Sequence, residues 1–141
     1  MPSRNELKKI SRTRLKEAKA LYQNRLYDGA KYLSGYAVET ALKARICKNI
    51  NEDYPEKGEI AKSFLTHKFD VLIRLGGLQK AFESELVGNV NFKLNWSLLS
   101  NWNESFRYST IGNSTQSEIE EILNALEHKN DGVLTWIMKK W

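Results

Sequence analysis

Residues 29–50 are apolar on more than one side, and that pattern narrows the fold more than any other stretch of the chain. At 100° per residue, Leu33, Ala37, Ala41 and Ala44 share one face, while Val38 and Leu42 lie on another. A helix that is greasy on several sides has to be surrounded by other helices, so the segment predicts the centre of a bundle. The small side chains at 37, 41 and 44 let a neighbouring helix approach closely.

The neighbours can be read from the same periodicity. A first helix is expected over about 4–24: Ser3 and Glu6 form a capping box, and Leu7, Ile10, Ala18, Leu21 and Tyr22 recur at helical spacing. Leu26-Tyr27-Asp28-Gly29 reads as the break before the central helix. Residues 51–65, with Pro55 and Gly58, read as a loop. Thr66 caps a short helix from His67 to about Leu75, which Gly76-Gly77 ends. A further short helix is expected over 78–86, a break at Gly88-Asn89, an aromatic helix from Phe92 to about Phe106, and a loop at 109–114. Thr115 and Glu118 form a second capping box and open one long final helix. Its stripe is Ile119, Ile122, Leu123, Leu126, Val133, Leu134, Ile137, Met138 and Trp141, with Gly132 inside it as a point of local loosening. No segment alternates apolar and polar residues for long, so the expectation is an all-α chain forming a single domain over 1–141.

The net charge of +5 is unevenly placed. Residues 1–25 hold eight basic residues and two acids, a local +6, and the other 116 residues sum to −1. On the first helix Arg4, Lys8, Arg12, Lys16 and Lys19 fall away from the apolar face. That face is either solvated or a surface for a nucleic-acid backbone, which it would hold by electrostatics and counterion release. Arg14 projects toward the apolar side, to pair with an acid or lay its stem along the core. The lone Cys47 cannot form an internal disulfide and reads as a packing residue. No Cys/His cluster has zinc spacing, so neither a metal nor a cofactor is expected. No apolar run reaches the length of a membrane span and the N-terminus lacks a signal-peptide core, so a reducing cytoplasm is the expected compartment.

Three segments carry a family resemblance. "GYAVETALKARI" (35–46) resembles the A-V-E-x-x-L-K-A signature of the HEPN domain family (higher eukaryotes and prokaryotes nucleotide-binding domain). "HKFDVLIRL" (67–75) resembles that family's H-x-L-x-x-L segment, and "SFRYS" (105–109) its later Arg-Tyr element. The resemblance covers most of the chain. It implies an up-and-down helical bundle with long antiparallel helices and shorter additional ones, commonly a homodimer. It also implies a toxin–antitoxin, defence or nucleotide-related setting, with a nucleotidyltransferase or antitoxin as partner and RNA or a nucleotide as ligand. Many members are metal-independent RNases whose site is an arginine followed four to six residues later by a histidine, paired across the dimer. Here Phe64, Leu65 and Thr66 precede His67, with Lys62 upstream, and no histidine follows Arg107 within ten residues. The ribonuclease motif is absent as written.

The matched positions make Glu39, Lys43, His67, Arg107 and Tyr108 the candidate ligand-binding residues, with His67 and Arg107 the candidates for catalysis. Glu39 and Lys43, spaced i,i+4, are either an exposed intrahelical pair or the lining of a groove or dimer seam. His67 either bonds to a loop or neighbouring helix or contacts phosphate and moves a proton, since imidazole titrates near neutrality. Arg107 either anchors to a carboxylate, Glu39 or Glu104, or offers its planar fork to phosphate. Tyr108 would stack or donate. Trp141, at the end of the final stripe, is expected in the core or against a partner subunit.

Overall fold

The computed structural model describes residues 2–55 and 57–141, and every regular element among them is helical. The elements are α1 (Arg4–Gln23), α2 (Tyr27–Ile50), α3 (Glu59–Phe64), α4 (Phe69–Leu75), α5 (Gln79–Gly88), α6 (Val90–Leu99), a 3₁₀ turn (Glu104–Tyr108), α7 (Gln116–Glu127) and α8 (Val133–Lys139). α1 and α2 form a long antiparallel hairpin. α2 is central and touches α1, α4, α7, α8 and the 3₁₀ turn. Ala30, Ala37, Val38, Ala41, Leu42, Ala44 and Ile46 are wholly buried in it. The close approach that its small residues allow is real: the buried Ser11 hydroxyl of α1 donates to the Ala37 carbonyl at 2.7 Å.

The capping box at the start of α1 is complete, with Glu6 N–H donating to Ser3 Oγ at 3.2 Å and Ser3 N–H to Glu6 Oε2 at 2.7 Å. Arg14 pairs with Glu17 through both carboxylate oxygens, at 2.9 and 2.8 Å. The break before α2 falls at Asn24–Leu26, where Arg25 is left-handed (φ 62°), and Tyr27–Gly29 already belong to the helix. Residues 59–64 form α3 rather than loop. Tyr54, Ala61 and Phe64 are buried together, and the Tyr54 hydroxyl donates to the Phe64 carbonyl at 2.6 Å, so apolar anchors order a stretch whose Pro and Gly suggest a loop. α4 begins at Phe69, not His67. Thr66 Oγ1 accepts from Lys68 N–H at 3.2 Å in a local turn, which leaves His67 ahead of the helix. Gly76-Gly77 ends α4 as expected, with Gly77 at φ 69°.

Two expected helices are each broken in two. The aromatic helix stops at Leu99, because Trp102 turns inward to donate its Nε1–H to the Tyr32 carbonyl at 3.1 Å. The ring lies on Gly35, where a Cβ would come within 1.9 Å of it, and it stacks on Phe69 with centroids 5.5 Å apart. The chain resumes as the 3₁₀ turn after Asn103. The final helix parts between His128 and Gly132. His128 Nδ1 accepts from Asn130 and Asp131 N–H (3.3 and 3.0 Å), and Gly132 is extended so close to the His128 and Leu126 carbonyls that a Cβ would lie 2.6 Å from them. Gly132 is a corner, more than a point of loosening. The stripe survives the corner, since Ile119, Ile122, Leu123, Leu126, Val133, Leu134 and Ile137 are all buried. At about 1.5–3 kcal/mol for each fully buried large aliphatic side chain, α7 and α8 supply much of the core's stabilisation. Thr115 caps α7 through Glu118 N–H, but the Glu118 side chain goes to Lys31 at 2.6 Å rather than back to the cap.

A candidate polar site along helix α2

One side of α2 carries Asp28, Tyr32, Tyr36, Glu39 and Lys43, each three or four residues from the next and therefore stacked along a single ridge. At its far end Glu39 is 3% exposed and bound from two sides. Lys43 Nζ donates to Oε1 at 2.7 Å, and His67 Nδ1 lies 3.0 and 2.9 Å from the two carboxylate oxygens. Lys43 is 16% exposed and its ammonium sits 5.1 Å from the Tyr54 ring centroid. The Glu39–Lys43 pair is therefore enclosed, not the exposed pair its spacing also allowed. His67 reaches it from the non-helical stretch 65–68 that precedes α4.

The His67 side chain is 41% exposed. With Nδ1 held against the Glu39 carboxylate, Nε2 is the ring nitrogen left for an outside partner. Among the described residues no hydrogen bond engages Nε2. A buried acid that orients an accessible imidazole is the arrangement proton transfer needs, and it also suits a phosphate oxygen accepting from the imidazolium.

Tyr36 continues the ridge, its ring edge-on to His67 with centroids 6.4 Å apart and to Trp102 at 5.1 Å. The Tyr32 hydroxyl donates to that of Tyr36 at 3.2 Å. Burial, then the Tyr32 contact and the charge of Glu39, push the Tyr36 hydroxyl pKa well above the phenol range, so it remains a proton donor. Arg107 and Tyr108 lie on the 3₁₀ turn at the Tyr32 end. Arg107 anchors to neither Glu39 nor Glu104: its Cζ lies 4.9 Å from the Tyr108 ring centroid, and no ion pair holds it among the described residues. Tyr32 above all, then Tyr108, raise its pKa further. The ridge thus brings Glu39, Lys43 and His67 into contact and keeps Arg107 and Tyr108 apart from them. Tyr32 and Tyr36, which join the two groups, were missed in the sequence, although their i,i+4 spacing to Asp28 and Thr40 marks the same face.

Beside Arg107 a cavity of about 240 Å³ opens between the start of α2, the 3₁₀ turn and the 109–114 loop, with Tyr32, Phe106, Ile111 and Asn113 in its lining. The loop is tied down by Asp28, which accepts from Gly112 N–H at 2.7 Å and Ser114 N–H at 3.0 Å.

The basic face of α1 is partly engaged within the chain. Lys8 Nζ and Arg12 Cζ lie 5.3 and 4.9 Å from the Trp141 ring centroid, and Lys19 pairs with Glu127 at 3.2 Å. Trp141 itself donates its Nε1–H to the Ala41 carbonyl at 3.0 Å and packs half-buried against the core of its own chain. Arg4 is half-buried with its Nε unsatisfied, Lys16 is exposed, and Lys48 of α2 adds a further cation by donating to the Trp141 main-chain oxygen at 2.8 Å. Cys47 is buried, which pushes its thiol up to about 11. No group of three or more His, Cys, Asp or Glu residues placed to hold a metal ion occurs among the described residues, and no described helix is long and apolar enough to cross a membrane.

No curated protein and no solved structure shows significant similarity to the chain. Residues 5–131 match the family model described as HEPN domain, a span that runs from the first turn of α1 through α7 and includes every ridge residue named above. On that match, over most of its length, the chain belongs to the HEPN domain family.

Proposed function

We propose that the chain is an RNA- or nucleotide-directed accessory protein of a toxin–antitoxin or defence system, cytoplasmic and homodimeric, with a nucleotidyltransferase or antitoxin as its protein partner. Membership of the HEPN family points to that general field. The observation that carries the reading to this chain is the enclosed Glu39, which holds Lys43 and a half-exposed His67 on the α2 ridge. The cations of α1 support it as a backbone-steering surface, since Arg4, Lys8, Arg12 and Lys48 gather without an acidic partner among the described residues. Val87, Val90, Leu94 and Leu98, exposed at helical spacing on the end of α5 and on α6, are the apolar face offered for the second copy.

The test is binding of labelled single-stranded RNA to the full chain by fluorescence anisotropy. Binding that weakens with salt and in His67→Ala is the expected result. No binding at low salt, with a folded protein by circular dichroism, rules the reading out.

A second reading, a metal-independent RNase with a rearranged site, is favoured by the free Nε2 of His67. In it, Nε2 takes the proton of a ribose 2′-hydroxyl, the 2′-oxygen bonds to phosphorus, and the bond to the 5′-oxygen breaks. That oxygen leaves with a proton from water, giving a 2′,3′-cyclic phosphate and a 5′-hydroxyl. It predicts cleavage lost in His67→Ala and Arg107→Ala. RNA that stays intact with wild-type protein removes it.

A further inference from the structure

The cavity at the Tyr32 end of the ridge belongs to no element of the reading above, and its construction says what it takes. Its volume, about 240 Å³, is below the ~300 Å³ at which sites for whole small-molecule ligands begin, so it accommodates one ring system and not a complete cofactor. Tyr32 and Phe106 give it aromatic walls. One face of Phe106 is covered by the Lys31 ammonium, 4.6 Å from its centroid, and Glu118 fixes that lysine. On the 109–114 loop, Ile111 lines the cavity and is 94% exposed, an apolar side chain with nothing packed on it. The loop does not have to fold around a guest, because Asp28 already holds it through two backbone N–H groups. The Asn113 side-chain amide has no hydrogen-bond partner among the described residues, so a donor and an acceptor are available together at the rim. Arg107, exposed beside the cavity, supplies a fork for a phosphate.

We infer that this cavity is a base-reading subsite: it receives one nucleobase of a single-stranded RNA whose backbone runs along the α2 ridge from Arg107 toward His67. Tyr32 and Glu39 are seven residues apart on one helix, or about 10 Å along its axis. Three stacked nucleotide steps, at about 3.4 Å each, cover that distance, and fewer do so in an extended strand. The base in the cavity is therefore a near neighbour of the phosphate at His67, and the subsite sets which sequence is held there. Asn113 reads the base edge, Phe106 and Ile111 enclose its faces, and Arg107 holds the adjoining phosphate.

The inference rests on RNA binding at the ridge, and one experiment separates the two. Short single-stranded RNAs, each abasic at a different single position, are titrated into the full chain and into Phe106→Ala, Ile111→Ser and Asn113→Ala, with single-stranded DNA of the same sequence as competitor. The expected result is one position at which base removal weakens wild-type binding about tenfold, the scale of one lost base–aromatic stack. That penalty should vanish in Phe106→Ala and shrink in Ile111→Ser, a coupling that a general loss of stability does not produce. Ile111 is on the surface, so its variant folds even if Phe106→Ala does not. RNA binding in which every position tolerates base loss equally, or in which the three variants keep the wild-type pattern, overturns the subsite and leaves the ridge reading intact. No RNA binding by the wild type overturns both.

Discussion

Lys43 and Lys8 each stand one helical turn from another charged residue, Glu39 in the first case and Arg4 and Arg12 in the second. Around Lys43 the charges are opposite and enclosed: Glu39 is buried, and Lys43 and His67 satisfy it from two sides. Around Lys8 they are alike and open. Its own partial burial, followed by Arg4, Arg12 and Lys48, pulls its pKa down, and the compensation it receives is the Trp141 ring. An enclosed, compensated cluster specifies one geometry at short range. An open, uncompensated one creates a field that reaches out to a polyanion and fades with salt. The two regions are suited to different steps of one encounter, attraction by α1 and positioning by the ridge.

The largest expected effect separates the regions by stability. Glu39→Ala strands a mostly buried ammonium, and removing one partner from a buried pair costs about 3–5 kcal/mol. Because His67 and, to a lesser degree, Lys43 keep contact with water, about 3 kcal/mol is expected, read as a shift of the urea midpoint. Lys8→Ala or Arg12→Ala gives up one exposed cation–aromatic contact, about 0.5–1 kcal/mol. Equal losses at Glu39 and Arg12 would break the comparison.

Gly35→Ala probes how the ridge is held up from behind. With a Cβ within 1.9 Å of the Trp102 ring, the indole must leave α2. Overpacking of this kind costs about 1–3 kcal/mol, and the upper end is expected because Trp102 also supports Tyr36 and Phe69. Displacement would show as a red shift of tryptophan fluorescence, and an unshifted spectrum with wild-type stability would deny Trp102 that role.

The third effect belongs to α1 alone. If its cations meet an RNA backbone, Lys8→Glu combined with Arg12→Glu should lower the slope of log affinity against log salt by about 1.4, two phosphate contacts at ~0.7 each for a single strand. His67→Ala should leave that slope near the wild-type value while weakening binding at every salt concentration. A slope change in His67→Ala as large as in the double variant would merge the two regions into one.

Legibility in the sequence divides along similar lines. The central position of α2, the α1 capping box, the Thr115 cap of α7 and the α7–α8 stripe follow from periodicity and capping chemistry, which are local. So does the candidacy of Glu39, Lys43 and His67, through their family resemblance. What escaped depends on contacts far along the chain. The aromatic helix ends at Leu99 because Trp102 docks on Gly35, some 67 residues upstream. α3 exists because Tyr54 and Phe64 pack together. The turn at His128–Gly132 is fixed by Nδ1 of one histidine and by Asn89 and Asn95, which bond Asp131 from α6 and its cap. For Arg107 the sequence leaves a carboxylate and a phosphate both open, and the neighbours it finds within the chain are tyrosines.

The smallest expected effect is confined to one loop and sharpens the contrast through pH. Asp28 is the only carboxylate in the first turn of α2, and the N–H groups of Gly112 first, then Ser114, hold its carboxyl below the usual carboxylate range against an opposing contribution from burial. A depressed folded pKa means that the stabilisation is fully present above the unfolded value, near 3.9, and is lost as pH falls through the folded one. Amide-exchange protection of Gly112 and Ser114 should therefore be level from neutrality to about pH 4 and decline below it, while the buried core of α2 stays protected. Asp28→Asn should lower that protection at neutral pH and remove the acid step. Lys8 and Arg12 have no carboxylate partner among the described residues, so the Lys8–Arg12–Trp141 contact should not change over the same interval. A level wild-type profile down to pH 2 would mean that Asp28 does not hold the loop, and the 240 Å³ cavity beside Arg107 would then lose the strut that makes it preformed.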